Sequence, residues 1–184
     1  MEAATRAAGP VSHRTDRLAR LCEPPAGHRL YAVLDGASIG DLPARLLASG
    51  AEHVCLYRGE LIPELAAAAP YLVRLDTHAR LRNTILDHWG EHWGVLLVSR
   101  AEMRVLRNHF RRLLLVWGPQ QKVMYLRYYD PRVLAMLAPV FEPEQVRKLF
   151  GPVESFWGEG ESTDLACCYQ EKEGRIHVAL TALA

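Results

Sequence analysis

The segment Arg127-Tyr128-Tyr129-Asp130-Pro131-Arg132 concentrates the side chains of this chain that are best suited to polar chemistry. It joins an apolar, strand-like run to a helix-forming run. Asp130 is placed to accept hydrogen bonds from the free N–H groups of the first helical turn, where a proline is also tolerated. Two guanidinium groups and two phenols are more than a helix start requires. We therefore predict that Arg127 and Arg132 hold the Asp130 turn through charge-assisted hydrogen bonds and so shape a binding surface.

A second concentration of charge is a row of arginines in residues 101–114, a segment with helical spacing of its apolar residues. Arg104, Arg107 and Arg111 continue from Arg100 along one face of the predicted helix. Like charges this close destabilise a helix unless acidic groups answer them. Two alternatives lead: the acidic residues after Phe141 lie against this face, or a partner supplies the carboxylates. Nucleic acid is the third alternative and is less favoured, because the sequence shows no aromatic stacking platform beside the arginines.

Three other patterns suggest catalysis or cofactor binding, and each is incomplete. His88 and His92 have the spacing of two zinc ligands on a helix, but Gly90 separates them and no third ligand is indicated. Asp35-Gly36 ends an apolar run where a nucleotide often binds, yet no glycine-rich phosphate motif follows. No serine lies in a nucleophile-elbow motif, and Cys167-Cys168 lacks a nearby basic residue.

These gaps lead to a prediction of no catalytic residue, no cofactor and no metal. The alternative is a small hydrolase or nucleotide-binding enzyme that uses Asp35 or Asp130. Such an enzyme needs partners for these carboxylates that the sequence does not indicate at any known spacing. A binding protein needs only shape, charge and apolar contacts.

The elements that position these residues are short apolar runs alternating with helix-forming segments. Strands are predicted at 31–34, 53–57, 71–75, 95–99 and 122–128, with helices between and after them. This alternation is typical of an α/β fold, and we predict a small, mostly parallel sheet flanked by helices. The predicted organisation is a flexible N-terminal arm, residues 1–27, an α/β core, residues 28–152, and a short irregular C-terminal extension, residues 153–184. This extension is predicted to consist of short extended pieces, with a hairpin turn at Glu171-Lys172-Glu173-Gly174.

Composition restricts the functional class. The chain has 184 residues, 49% of them hydrophobic and 23% charged, which suits one ordinary core rather than a disordered protein. No apolar run is long enough to cross a bilayer, and the first residues lack the apolar stretch of a secretory signal. Four cysteines without paired spacing favour a reducing compartment. A net charge of +1 argues against a general nucleic-acid binder.

The charge is nevertheless uneven along the chain. Residues 74–132 hold 11 Lys or Arg against 5 Asp or Glu, whereas residues 141–173 hold 3 against 8. Such an asymmetry can orient a partner, or it can draw two parts of the chain together.

The chain resembles the adaptor chaperones of bacterial type VI secretion over roughly residues 28–150. The likeness rests on the corner from Arg127 to Leu134, on Tyr31 to Ala37, on Cys55 to Gly59 with Leu61, Pro63 and Glu64, on Ala69 to Leu75, on the Trp-Gly pairs, and on Leu106 with His109, Phe110 and Arg111. The resemblance implies a cytoplasmic, non-catalytic protein that binds a secreted effector toxin and promotes its loading onto the VgrG spike protein. Neither nucleic acid nor a membrane is an expected partner. The residues predicted to bind the effector or to shape its surface are Arg127, Tyr128, Asp130, Arg132, Arg104, Arg107 and Arg111.

Overall fold

The computed structural model describes residues 10–118, 120 and 122–183. The helices are α1 (Pro10–Leu21), α2 (Leu42–Ser49), α3 (Pro63–Ala68), α4 (Ala79–Asp87), α5 (Met103–Leu113), α6 (Pro131–Leu137) and α7 (Pro143–Phe150). The strands are β1 (Arg29–Asp35), β2 (His53–Cys55), β3 (Pro70–Arg74), β4 (Gly94–Ser99), β5 (Leu115–Trp117), β6 (Val123–Tyr125), β7 (Ser155–Glu159), β8 (Leu165–Lys172) and β9 (Arg175–Ala182). Most lie within a few residues of the segments that the sequence pattern predicts.

Seven strands form one sheet in the order β2-β3-β1-β4-β7-β8-β9, and every neighbouring pair is antiparallel. The fold is α/β, but the prediction of a mostly parallel sheet is wrong. In the central pair, for example, Tyr31 of β1 lies opposite Leu97 of β4.

The reason for this error lies in two interlocked crossovers. The connections β1-α2-β2 and β3-α4-β4 each join two strands that run in the same direction, as the alternation of elements predicts. However, β3 enters between β1 and β2, and β1 enters between β3 and β4, both running the opposite way. The resulting strand order over residues 29–99 is that of the ferredoxin-like arrangement. The alternation of strands and helices in the sequence predicts the crossovers. It does not indicate which strand lies between the two strands that each crossover joins.

The sheet has a hydrophobic core on each face because both faces are covered by helices. Along β1, Leu30, Ala32 and Leu34 point to one core, and Tyr31 and Val33 point to the other. Helices α1, α2 and α4 contribute buried residues to the first core, and α5, α6 and α7 contribute to the second. Burial on both faces explains why β1 and β4 are continuous apolar runs rather than alternating ones.

Both ends of the chain differ from the predicted organisation. Residues 1–9 of the expected flexible arm lie outside the described residues, and from Pro10 the chain forms α1, which packs against α4 with Leu18 and Cys22 buried. The hydroxyl of Thr15 in α1 donates to Asp87 Oδ1 at 2.6 Å.

The prediction of an irregular C-terminal extension is wrong, because β7 pairs with β4 and extends the main sheet together with β8 and β9. The predicted hairpin at Glu171-Lys172-Glu173-Gly174 is confirmed, and Glu173 and Gly174 both have positive φ there.

Two local features bear on the site. The strand predicted at 122–128 shortens to β6, which among the described strands pairs only with β5, in a separate two-stranded hairpin. Gly36 follows β1 at a point where an added Cβ would lie 2.2 Å from the carbonyl oxygen of Ala67, so this turn requires glycine. In the described part of the chain, no helix combines the length and apolar character needed to span a bilayer.

Candidate functional site

Asp130 caps helix α6, as the sequence predicts. Its Oδ1 accepts the backbone N–H of Arg132 at 3.0 Å, and Pro131 occupies the first turn. The guanidinium of Arg132 donates from Nε to Oδ1 at 2.9 Å and from Nη2 to Oδ2 at 2.8 Å. Burial opposes ionisation of Asp130, but the hydrogen bonds from Arg132 and the nearby charges outweigh it, so the pKa of this carboxyl is lowered.

Arg127 connects the Asp130 cap to the turn that follows β1. Its Nη2 donates to the carboxylate of Asp35 and lies 3.6 Å from Asp130 Oδ2. Asp35 is buried and also accepts the N–H of Ala37 at 3.0 Å and the hydroxyl of Ser38 at 3.2 Å. Asp35 therefore closes its turn, and Arg127 joins that turn to the start of α6. The Arg127–Asp35 pair spans 92 positions, so no spacing rule indicates it.

The two tyrosines of the corner lie in the core. Tyr128 stacks on Phe110 with ring centroids 5.5 Å apart, and its hydroxyl donates to the carbonyl of Phe110 at 3.4 Å. Burial raises the pKa of Tyr128 and of Tyr129, and the nearby Asp35 carboxylate adds to the shift at Tyr129. Both phenols stay protonated. The structure thus places Tyr128 beneath the surface and leaves the two arginines, Arg127 and Arg132, as the exposed members of the corner.

The corner forms one wall of a cleft of about 580 Å³ between α6 and the strands β7, β8 and β9. Pro131 and Arg132 lie on this wall. The opposite lining is mostly apolar and comes from Cys167, Tyr169, Ile176, Val178 and Leu180. Val178 and Leu180 are exposed where the cleft opens along β9.

A His92–Glu159 pair also lines this cleft and was not predicted. The buried carboxylate of Glu159 accepts the backbone N–H of His92 at 3.0 and 3.1 Å and contacts its Nδ1. His92 has a φ of 56°, which presents its N–H to β7. In the sequence, Glu159 is one of several acidic residues after Phe141, and nothing there marks it as buried.

The arginine face of α5 is divided between an internal and an open part. The Nε atom of Arg100, just before α5, lies 3.4 Å from Glu154 Oε1. The acidic residues after Phe141 therefore supply an ion-pair partner for this one arginine of the row. Arg111 donates to the carbonyls of Cys55 and Tyr57 at 2.9 and 3.1 Å. Burial, and then the charges of Arg107 and Arg58, lower the pKa of Arg111. No carboxylate among the described residues forms an ion pair with Arg104, Arg107 or Arg111.

The chemistry open to this arrangement is limited by the bonds already made. Asp35 and Asp130 are both committed to guanidinium groups and to backbone N–H groups. His88 stacks on Trp93, and the described residues contain no group of three or more His, Cys, Asp or Glu placed to hold a metal. Burial raises the pKa of the Cys168 thiol to about 11 and raises that of Cys167, so neither thiol is activated as a nucleophile.

The fold and the corner define an antiparallel α/β protein in which the residues of the corner support one wall of a cleft. The chain belongs to the family described as a domain of unknown function, DUF4123, which matches residues 30–148. This range contains the segments on which the resemblance in the sequence rests, apart from the pair Trp157-Gly158. No curated protein and no solved structure matches the chain.

Proposed function

We propose that this protein is a cytoplasmic adaptor chaperone, which binds a type VI secretion effector toxin and promotes its loading onto the VgrG spike protein without catalysing a reaction. The observation that carries this proposal is the uncovered apolar cleft along β9. The DUF4123 family, with its association with type VI effector adaptors, supports the same function.

Strand β9 has the properties of a docking edge. It is the last strand of the sheet, and none of the described strands pairs with its outer side. Residues 176–183 carry no Asp, Glu, Lys or Arg and no proline, which are the usual means of protecting an exposed edge. An extended segment of an effector can add to this edge through main-chain hydrogen bonds while its alternate side chains enter the cleft beside Val178 and Leu180.

The corner supports this role by fixing the cleft wall. Helix α6 is short, and the Asp130 cap together with the Arg127–Asp35 pair ties its first turn to the turn after β1. The polar residues of the motif are thus used to hold shape, which is what an adaptor requires. Arg132 is the one corner arginine on the cleft wall and can also meet a carboxylate of the effector.

The test is size-exclusion chromatography with mass detection of this chain, the effector and the spike protein, in pairs and together. We expect a stoichiometric complex with the effector, higher soluble yield of the effector on co-expression, and no change in the effector's covalent mass. Val178→Asp/Leu180→Asp should abolish the complex, while Leu47→Asp, at an exposed position of α2, should not. Binding to neither protein would refute the adaptor proposal.

The second candidate is a hydrolase, and the His92–Glu159 pair in the cleft is the observation that favours it. A histidine paired with a buried carboxylate can serve as a general base. This candidate requires trace amounts of the chain to change the effector's mass, and Glu159→Gln to stop that change. Asp35 and Asp130, the carboxylates that the alternative enzyme would use, are less suited to act as a general base, because each is held by an arginine.

A further inference from the structure

The hairpin β5–β6 exposes an apolar face at the opposite end of the sheet from β9. The register pairs Leu115 with Tyr125 and Trp117 with Val123, so these four side chains share one face. All four are exposed, Trp117 at 76% and Tyr125 at 66%. An isolated two-stranded hairpin with an uncovered apolar face is only marginally stable by itself, so a covering partner would stabilise it.

A groove of about 490 Å³ separates this hairpin from the segment after β2 and from α3. Its apolar lining includes Tyr57, Leu61, Leu65, Leu115 and Tyr125. The rings of Tyr57 and Tyr125 are 5.6 Å apart, which joins the hairpin to the segment after β2. The hairpin face and the groove thus form one continuous surface, which we call the hairpin surface.

Positive charge borders the hairpin surface without an answering negative charge. Arg58, Arg111 and Arg112 line the groove, and Arg107 lies close enough to act on Arg111. The Nε atoms of Arg107 and Arg111 are buried and have no hydrogen-bond partner among the described residues. No carboxylate of the described chain forms an ion pair with any of these four arginines. Arg107 and Arg111 are four residues apart on α5, a spacing at which like charges repel. Carboxylates from outside the chain would relieve this repulsion.

We propose that the hairpin surface binds an acidic amphipathic segment of a partner protein, with its apolar side on the hairpin and groove and its carboxylates on Arg58, Arg107, Arg111 and Arg112. The proposal rests on the adaptor function, to which it adds a second docking surface. The main sheet places β2, beside the hairpin surface, six strand spacings from β9, about 29 Å at the usual spacing. An adaptor can therefore hold one partner at each edge at the same time.

A single-stranded nucleic acid is the other polyanion to consider, since Trp117 and Tyr125 are aromatic and close to arginines. Aliphatic side chains, however, make up much of the surface: Leu61, Leu65, Leu115 and Val123. Bases stack on aromatic faces and gain little from aliphatic ones, whereas the apolar side of a peptide packs on both. The composition of the surface therefore favours a peptide.

The test uses a fluorescent peptide of about five helical turns, with leucine on one face and glutamate elsewhere. The matched control peptide has lysine in place of every glutamate. Anisotropy titration of the full chain should show saturable binding of the glutamate peptide, weakening with salt, and no saturation with the lysine peptide. Arg58→Glu/Arg112→Glu, both at exposed positions, should weaken binding about tenfold or more.

Two further variants separate charge from apolar contact. Trp117→Ser should weaken binding of the glutamate peptide while leaving the fold intact, because this indole is exposed. Arg80→Glu/Arg147→Glu makes the same charge change at exposed positions of α4 and α7 and should bind as the native chain does. An equal loss of peptide binding in this control would show that only net charge matters and would overturn the proposal. If a single-stranded thymidine oligonucleotide binds more tightly than the glutamate peptide, the proposal is overturned in favour of nucleic acid.

Failure of this inference is distinguishable from failure of the adaptor function. If the glutamate peptide does not bind, but the chain forms complexes with effector and spike that survive Arg58→Glu/Arg112→Glu and Trp117→Ser, the hairpin surface has no such role and the adaptor function stands. If the peptide binds and neither effector nor spike does, the adaptor function fails and the surface serves another acidic protein.

Discussion

At the scale of single residues, the corner consists of two buried carboxylates, each held by a guanidinium group. The arginines are largely exposed, so removing an arginine leaves a buried carboxylate without compensation, whereas removing the carboxylate leaves an arginine that water can reach. Asp130 bears two roles, because it caps α6 and pairs with Arg132. These roles can be separated by substitution.

We expect Asp130→Ala to lower the free energy of unfolding by about 1 to 2 kcal/mol through loss of the cap. Asp130→Asn is the matched variant, since asparagine caps a helix as well as aspartate but cannot form the ion pair. It should retain a large part of the stability. Urea denaturation of the three proteins measures the difference. An Asp130→Ala variant that melts like the native chain but no longer binds the effector would make Asp130 a contact residue instead.

His109 should make the free energy of unfolding depend on pH. Its Nε2 lies 2.9 Å from the carbonyl oxygen of Leu149, and burial lowers its pKa. A histidine whose folded pKa lies below its unfolded value stabilises the fold fully above the unfolded pKa, about 6.5, and this stability is lost as the pH falls below that value. The unfolded state then binds a proton that the folded state resists.

Stability should therefore fall between pH 7 and pH 5, and His109→Gln should show a flatter profile over this range. Glutamine can still donate to the Leu149 carbonyl, so the hydrogen bond is retained. His177→Gln, which removes an exposed imidazole from β9, is the control. Chemical denaturation at several pH values gives both profiles. Parallel profiles for the native and His109→Gln chains would show that another group titrates.

At the scale of elements, β7 to β9 complete the domain rather than append to it. Phe156 of β7 and Tyr169 of β8 are almost fully buried in the core shared with α5, α6 and α7. Without these strands, β4 would be an uncovered edge and this core would lose one wall. The free energy that burial of these apolar side chains contributes is larger than the roughly 5 to 15 kcal/mol of net stability that a native domain has.

Deleting residues 153–184 should therefore abolish cooperative unfolding, as judged by circular dichroism during heating. Deleting only residues 175–184 removes the edge strand β9 and the end of the chain, and should leave a cooperative transition at a lower temperature. This shorter deletion should also abolish effector binding. A folded protein after the longer deletion would mean that residues 28–152 fold alone, as the predicted organisation has it.

At the scale of the whole molecule, the two apolar surfaces lie at opposite edges of one sheet. The chain carries almost no net charge, so its asymmetry lies in where charge is placed rather than in how much there is. The arginines around the hairpin surface lack carboxylate partners within the described chain, whereas the β9 edge carries no Asp, Glu, Lys or Arg from 176 to 183. Two surfaces of different chemistry suit two different partners.

We expect variants of the two surfaces to separate the two partners. Val178→Asp/Leu180→Asp should remove one protein, and Trp117→Ser with Arg58→Glu should remove the other, each leaving the opposite complex intact. Size-exclusion chromatography of three-component mixtures measures this directly. Loss of both partners in both variants would indicate a single extended interface.

The sequence by itself determined the elements and the local chemistry of the corner. The Asp130 cap, the glycine turn after Asp35 and the helical stripe of α5 depend on neighbours within a few residues, so spacing is enough to find them. The position of the C-terminal hairpin followed from its turn residues in the same way.

Only the tertiary structure decided which elements pair with one another and which distant residues come into contact. The Arg127–Asp35 pair, the burial of Glu159 against His92, and the separation of β5–β6 from the main sheet each join or divide residues far apart in the chain. The antiparallel order was likewise undetermined, because a strand inserted between two parallel ones leaves no local signal. Apolar patterning selects which faces are buried, but partner strands and ion pairs depend on how whole elements pack.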